Sequence, residues 1–165
     1  MKQDRFLVSI LVGIGILIVL ALVLFFMRKD TQASYMPDDS PDGVVHNYAL
    51  SLYNGDYQKA YNYLAEKEYK PTFEQFRTPF LNHYVDVNSA GLEIGEIKIE
   101  SDEAFVTVYM IYNPSDPFSS GYRGQEVAQL VLQNGSWKIV QMPYNFWYYD
   151  WYQIPPENQK PVPVE

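Results

Sequence analysis

The side chains that could do acid–base chemistry are few in this 165-residue chain. His83, Tyr84 and Asp86 bring an imidazole, a phenol and a carboxylate within four positions, and such groups transfer protons when burial tunes their pKa values. The alternative is structural: a hydrogen-bonded histidine at a helix end, beside a solvated aspartate. The other histidine, His46, has no obvious carboxylate partner in the sequence. Catalysis would require a deep pocket into which His83 or Asp86 points, with a tyrosine within hydrogen-bonding reach.

No metal or cofactor site is predicted. The chain has no cysteine, which excludes disulfides and thiolate ligands, and its two histidines leave little for zinc. We find no calcium loop, phosphate-binding loop, Gly-x-Ser-x-Gly motif or dinucleotide fingerprint in the sequence. Beyond residue 29 the chain holds 8 basic and 19 acidic residues, a net charge of −11. This balance disfavours nucleic acid as a partner, because basic patches supply most of the affinity for it.

The segment from Tyr144 to Tyr152 could bind a partner, since seven of its nine residues are aromatic. Three interpretations are open. The rings could cover the sheet and bury about 150–250 Å² each, or they could form an exposed recognition surface for a protein or a glycan, because Trp and Tyr are enriched at binding hot spots. They could also form a membrane-interface belt, which the acidic composition disfavours. The surface hypothesis rests on four side chains: Trp147, Tyr148, Tyr149 and Trp151. It predicts that both tryptophans are exposed, and burial of both would remove the surface that they form.

The longest apolar stretch, Phe6–Met27, is predicted to anchor the chain in a membrane. It has 22 residues without a charge, and a helix of that length rises about 33 Å against a bilayer core of about 30 Å. The alternative is a cleaved signal peptide, whose apolar region usually has about 7–15 residues. The small-residue site at 31–33 lies beyond Arg28 and Lys29, so an uncleaved anchor is favoured.

The chain is expected to place one domain outside the cytoplasm of a single-pass membrane protein. Basic residues flank both ends of the apolar stretch, but long domains translocate largely regardless of charge. The predicted organisation is an anchor over residues 1–29, a polar tether over 30–40, one domain over 41–154 and a proline-rich disordered tail over 155–165. Lipid bilayer is thus one expected partner of the chain.

Helices are predicted in the first half of the domain. Ser40 and Pro41 are an N-cap and a first helical residue, and Asn54-Gly55-Asp56 separates this helix from a second one. The second helix has apolar residues at helical spacing from Tyr57 to Leu64. A capping box formed by Thr72 and Gln75 begins a third, which Pro79 kinks or ends.

Strands are predicted in the second half, where the apolar period changes to two. The alternation slips at Gly95, which indicates a β-bulge. Ala104–Tyr112 is apolar on both faces, as in a central strand covered on both sides, and a loop follows at 113–117. Asn134-Gly135 joins residues 127–133 to 137–140 as a tight hairpin. Helices followed by an antiparallel meander indicate an α+β fold with the helices on one face of a twisted sheet.

The sequence resembles the superfamily of nuclear transport factor 2 and ketosteroid isomerase, especially its membrane-tethered bacterial members of unassigned activity. The match covers roughly residues 41–145 and rests on short motifs at 44–48, 52–57, 60–61, 104–108, 130–132 and 134–139. The resemblance implies three helices packed against a strongly curved antiparallel sheet that forms a cystatin-like cone. In enzymes of this superfamily an acid–base residue lies inside the cone with tyrosine donors, which would assign that role to His83 or Asp86 with Tyr84.

Because this superfamily hosts enzymes, transport factors and scaffolds, its fold does not decide function. No Tyr–Asp pair at the spacing of ketosteroid isomerase is evident. We therefore expect a non-catalytic binding or protein-interaction module, with an envelope protein or a second copy of the chain as partner. The alternative is a small-molecule acid–base enzyme, an isomerase or dehydratase, with its pocket in the cone.

Overall fold

A computed structural model describes the backbone of residues 3–27, 33–112 and 121–153, and within the first helix the side chains of residues 7–23. The chain divides into two compact units, Met1–Ala33 and Ser34–Glu165. The second unit thus begins seven residues before Pro41, inside the predicted tether. The predicted loop at 113–117 and the predicted tail at 155–165 lie outside the described residues.

The first unit contains one helix, α1 (Gln3–Met27). The side chains of residues 7–23 are all exposed to solvent. Within the residues that the structure describes, no helix is both long enough and apolar enough to cross a membrane. The anchor assigned to Phe6–Met27 is therefore not supported by the fold and stays a prediction.

Three further helices belong to the second unit: α2 (Pro41–Tyr53), α3 (Tyr57–Asn62) and α4 (Phe73–Leu81). Their first turns are capped as the sequence predicts. The hydroxyl of Ser40 accepts from the backbone of α2, and the carboxylate of Asp56 accepts from that of α3. At α4 both bonds of the capping box are present between Thr72 and Gln75, at 2.8 and 3.3 Å. These helices therefore begin where local hydrogen bonding favours it.

Two helix ends differ from the predicted ones. The second helix ends at Asn62, and Leu64 instead forms a parallel bridge with Ile139. Backbone bonds of 2.8 Å join Ile139 to Tyr63 and to Ala65, so this short extended segment covers the edge of the sheet that would otherwise be unpaired. Pro79 lies inside α4 without ending it.

The sheet is antiparallel, with the spatial order β1-β2-β3-β4. Its strands are β1 (Gly91–Glu100), β2 (Glu103–Tyr112), β3 (Tyr122–Gln133) and β4 (Ser136–Gln141). The register shifts between Ile94 and Ile97, which confirms the bulge at Gly95. Asn134 and Gly135 both have positive φ, 52° and 77°, as a two-residue hairpin turn requires.

The helices cover one face of the sheet, which confirms the α+β fold. Helix α2 contacts β1, β2 and β4. The alternate residues of β2 that face the core are fully buried, namely Ala104, Val106, Val108 and Met110. The residues between them, from Phe105 to Tyr109, are half-buried. The full cover predicted on both faces of this strand is therefore present on one face only.

A short strap, residues 34–38, is hydrogen-bonded to α2 and turns part of the predicted tether into domain structure. Asn47 accepts from the Met36 N–H at 2.8 Å and donates to the Met36 carbonyl at 2.7 Å and to the Asp38 carboxylate. The Tyr63 hydroxyl also donates to Asp38, at 3.0 Å. The ring Nε2 of His46 lies 2.9 Å from the carbonyl oxygen of residue 34, a structural position for that histidine.

Candidate functional site

The aromatic segment from Tyr144 to Tyr152 closes the core on one side and builds a surface on the other. Phe146, Trp147 and Trp151 are 0%, 8% and 4% exposed. The Trp151 ring centre lies 4.8 Å from that of Phe76 and 4.9 Å from that of Trp147. The exposure that the surface hypothesis predicts for the two tryptophans is therefore wrong, because they pack against each other and, through Trp151, against α4. For these two rings the structural interpretation, in which the segment covers the core, is the one that fits.

Hydrogen bonds fix this segment to distant parts of the chain. The hydroxyl of Tyr48 donates to the Phe146 carbonyl at 2.8 Å, inside the core. The indole N–H of Trp151 donates to the Gln75 carbonyl at 3.4 Å. Tyr112 and Ser89 both bond to the Asn145 amide, each at 2.8 Å. The base of the surface is thus held in place by side chains from helices and strands alike.

Tyr152 anchors the end of the segment and makes it sensitive to alkaline pH. Its hydroxyl donates to the Ala65 carbonyl at 2.6 Å, and burial, followed by the charges of Glu66 and Tyr61, raises its pKa. In the unfolded chain a tyrosine loses its proton near pH 10, whereas in the folded chain it does so at higher pH. This contribution to stability is therefore present below pH 10 and is lost as the pH rises towards the folded pKa.

We expect the Tyr152→Phe substitution to flatten the alkaline limb of the stability curve. At pH 8 the variant should be less stable by about 1 kcal/mol, because it lacks the bond to Ala65. Between pH 8 and 11 it should then lose less of its unfolding free energy than the unsubstituted chain does. Urea denaturation at both pH values measures this difference, and an identical pH dependence of the two chains would contradict the assignment.

Two clefts of about 920 and 1090 Å³ lie against the exposed side of the aromatic segment. We call the two clefts together the tyrosine cleft, and they share six lining residues. These residues are Tyr69, Tyr84, Tyr148, Tyr149, Trp151 and Gln153. Tyr84 is 69% exposed and Tyr149 is 74% exposed, while the Tyr148 and Tyr149 ring centres lie 5.1 Å apart. The arrangement offers several ring faces to a ligand over a rigid aromatic base.

Carboxylates surround these rings. A hydrogen bond with Asp150 raises the pKa of Tyr148, and a hydrogen bond with Glu68 raises the pKa of Tyr69. Glu126 lines the first cleft as well. Carboxylates beside aromatic rings make the surface negative in potential and rich in π faces, so it suits a neutral or cationic ligand better than an anionic one.

The structure does not bring the acid–base candidates together in a pocket. His83 is exposed in a left-handed conformation, φ 57°, just after α4. Asp86 is exposed and caps a short 3₁₀ turn by accepting from the Asn88 N–H at 3.0 Å. Neither residue lines the tyrosine cleft, whereas Tyr84 does. Their positions match the structural alternative, a histidine at a helix end and a solvated aspartate.

The interior beneath the helices is packed with large side chains. Tyr48, Phe76, Met110 and Phe146 are all fully buried there. Among the described residues, no group of three or more His, Cys, Asp or Glu side chains could hold a metal ion. The tyrosine cleft is therefore the candidate binding site among the described residues of the second unit, and the side chains that line it decide what it can bind.

Sequence reasoning missed Tyr69 and gave Tyr84 a different role. Tyr69 is held at the cleft by a turn in which the Lys70 N–H donates to the Lys67 carbonyl, and its φ of 60° is left-handed. Tyrosine is an uncommon residue in that conformation, so no turn signal pointed to it. The sequence predicts Tyr84 as an acid–base candidate, whereas the structure places its exposed ring in the tyrosine cleft.

No protein-family model matches the chain, and no curated protein sequence is significantly similar to it. Solved structures are similar in fold only. A SEC-C motif protein from Rhodopseudomonas palustris has a TM-score of 0.47 at 9% identity, with 64% of this chain and 79% of that one covered. A putative NTF2-like transpeptidase from Campylobacter jejuni has 0.43 at 16%, covering 61% and 96%.

A third similar structure is a putative calcium/calmodulin-dependent protein kinase II association domain from Xanthomonas campestris. Its TM-score is 0.40 at 14% identity, with 66% of this chain and 92% of that one covered. Function has to be argued from the residues of the tyrosine cleft.

Proposed function

We propose that this chain is a membrane-anchored, extracytoplasmic binding module whose tyrosine cleft receives a partner protein of the cell envelope. The observation that supports binding most directly is the set of exposed rings over a buried base. Tyr84 and Tyr149 stay largely in water, although exposing a large apolar ring to water normally costs free energy. Trp147 and Trp151 hold the surface beneath them rigid, and preorganised aromatic residues are what binding hot spots use.

The sequence supports the anchor. The 22-residue run from Phe6 to Met27 exceeds the roughly 20 apolar residues that a membrane-spanning helix needs. The exposure of the apolar side chains at residues 7–23 would be costly in water and favourable in lipid. A long domain that follows such a run translocates largely regardless of the flanking charges, which favours a second unit outside the cytoplasm.

Cysteine labelling tests location and binding together, because the chain has no cysteine of its own. Gln153→Cys places a thiol in the tyrosine cleft without removing a ring. Gln58→Cys, at another exposed glutamine, is the matched control outside both clefts. Each variant is treated with a membrane-impermeant maleimide in intact cells, in lysates and as purified full-length protein.

We expect both thiols to react in intact cells, as an extracytoplasmic domain requires. We also expect Gln153→Cys to react more slowly than Gln58→Cys in cells, and at the same relative rate as the control once the protein is purified. Labelling that appears only after lysis would overturn the orientation. Equal relative rates in cells and in purified protein would overturn the occupied cleft.

A further inference from the structure

Three of the basic side chains that the structure describes lie against both an aromatic face and a carboxylate. The Arg123 guanidinium carbon lies 3.9 Å from the ring centre of Tyr109, while its Nη2 lies 2.9 Å from Glu93. The same arrangement holds Lys70 between Tyr61 and Glu66, and Arg77 between Phe73 and Glu74. A ring face attracts a cation through its quadrupole, and the carboxylate adds the charge-assisted hydrogen bond.

The tyrosine cleft places the same two kinds of group, aromatic rings and carboxylates, along one surface. Tyr148, Tyr149 and Asp150 line the second cleft together, and Glu68 and Tyr69 line the first. In the part of the chain that the structure describes, no basic side chain lies over the ring of Tyr69, Tyr148 or Tyr149. The cleft therefore presents the rings of Tyr148 and Tyr149 with the Asp150 carboxylate, and the ring of Tyr69 with the Glu68 carboxylate, to a cation from outside the chain.

The charge of the cleft favours such a ligand. Of its described charged residues, Lys70 and Glu74 are already paired with neighbours, Glu66 and Arg77. Three carboxylates, those of Glu68, Glu126 and Asp150, then remain against one ammonium group, that of Lys67. The chain beyond residue 29 has a net charge of −11, so the long-range field also steers cations towards it.

We propose that the tyrosine cleft binds an arginine-bearing segment of its partner protein, with guanidinium groups over the tyrosine rings and hydrogen-bonded to the adjacent carboxylates. Arginine fits better than lysine because its planar group stacks on a ring and forms paired hydrogen bonds with a carboxylate. Two clefts that share the same tyrosines have room for more than one side chain. This inference rests on the proposed function and specifies the chemistry of the partner.

The test measures the affinity of the full-length chain, in detergent, for a fluorescent hexapeptide of alternating glycine and arginine. Hexapeptides with glutamate or serine in place of arginine are the peptide controls. Tyr149→Leu removes a ring at a residue that is largely exposed, so the fold is not at risk, whereas Tyr149→Phe keeps the ring. Tyr122→Leu is the matched control, since Tyr122 is 69% exposed and lies outside both clefts.

We expect the arginine peptide alone to bind, and Tyr149→Leu to weaken it by about 2- to 30-fold. Tyr149→Phe and Tyr122→Leu should bind as the unsubstituted chain does. Equal affinity in all variants would reveal non-specific attraction to an acidic protein and overturn the inference. It would be overturned equally by no binding, by tighter binding of the serine peptide, or by binding to phosphatidylcholine vesicles instead of the peptide. Slow labelling of Gln153→Cys in cells would then still support an occupied cleft with a partner of other chemistry.

Discussion

Replacing Trp151 by alanine is expected to lower the free energy of unfolding by about 3–5 kcal/mol. The indole is almost fully buried, and its ring centre lies within 6 Å of those of Phe76, Phe80 and Trp147. Truncation leaves a cavity among rings that cannot collapse easily, because they belong to α4 and to the aromatic segment at once. It also removes the hydrogen bond from the indole to the Gln75 carbonyl.

Chemical denaturation followed by far-ultraviolet circular dichroism measures this loss, without relying on the fluorescence of the residue that is removed. Tyr149→Ala is the control in the same segment, and a change within about 0.5 kcal/mol is expected there because its ring is exposed. If the two substitutions had similar small effects, Trp151 would not join the aromatic segment to the core, and the tyrosine cleft would not have a rigid aromatic base.

The parts of the fold that the sequence predicts well depend on neighbouring residues. Ser40, Thr72 and Gly135 act through bonds or backbone angles within three or four positions of themselves. The helix starts and the hairpin were predictable for that reason. The bulge at Gly95 is a similar case, because the change in alternation marks it directly in the sequence.

The division of the aromatic segment into buried and exposed rings could not be predicted in this way. Trp147 and Trp151 pack inwards while Tyr149 stays in water, yet all three belong to one aromatic run. The partners that decide this, Phe76 and Phe80, lie about 70 residues earlier in the chain. Composition alone therefore leaves a structural cover and a binding surface both open, and only tertiary packing decides which rings are buried and which are exposed.

The strap was missed for a different reason: it is attached mainly through its own backbone. Asn47 is 1% exposed and bonds to the backbone of Met36 on both its N–H and its carbonyl side. Such bonds leave no trace in the strap sequence, which has the polar composition of a flexible tether. The buried amide in α2 is the one residue that signals it.

Asn47→Ala is expected to destabilise the second unit by about 2 kcal/mol, because the buried backbone groups of Met36 and the Asp38 carboxylate lose their partner. The Met36 amide should then exchange with deuterium faster than in the unsubstituted chain. His46→Ala, one position away, is the matched control, since it removes only the exposed contact with the carbonyl of residue 34. Denaturation and hydrogen exchange of the full-length chain measure both effects.

Gly43→Ala tests the same strap. Its expected effect is opposite to the effect that this substitution has in a helix without a docked strap. Alanine in a helix interior is normally more stable than glycine by about 1 kcal/mol. Here a Cβ on Gly43 would lie 2.1 Å from the Pro37 carbonyl oxygen, a distance that the strap backbone cannot accept without moving. We therefore expect Gly43→Ala to destabilise the chain and to expose the Met36 amide, as Asn47→Ala does. A more stable variant with an equally protected amide would mean that the strap is not docked on α2.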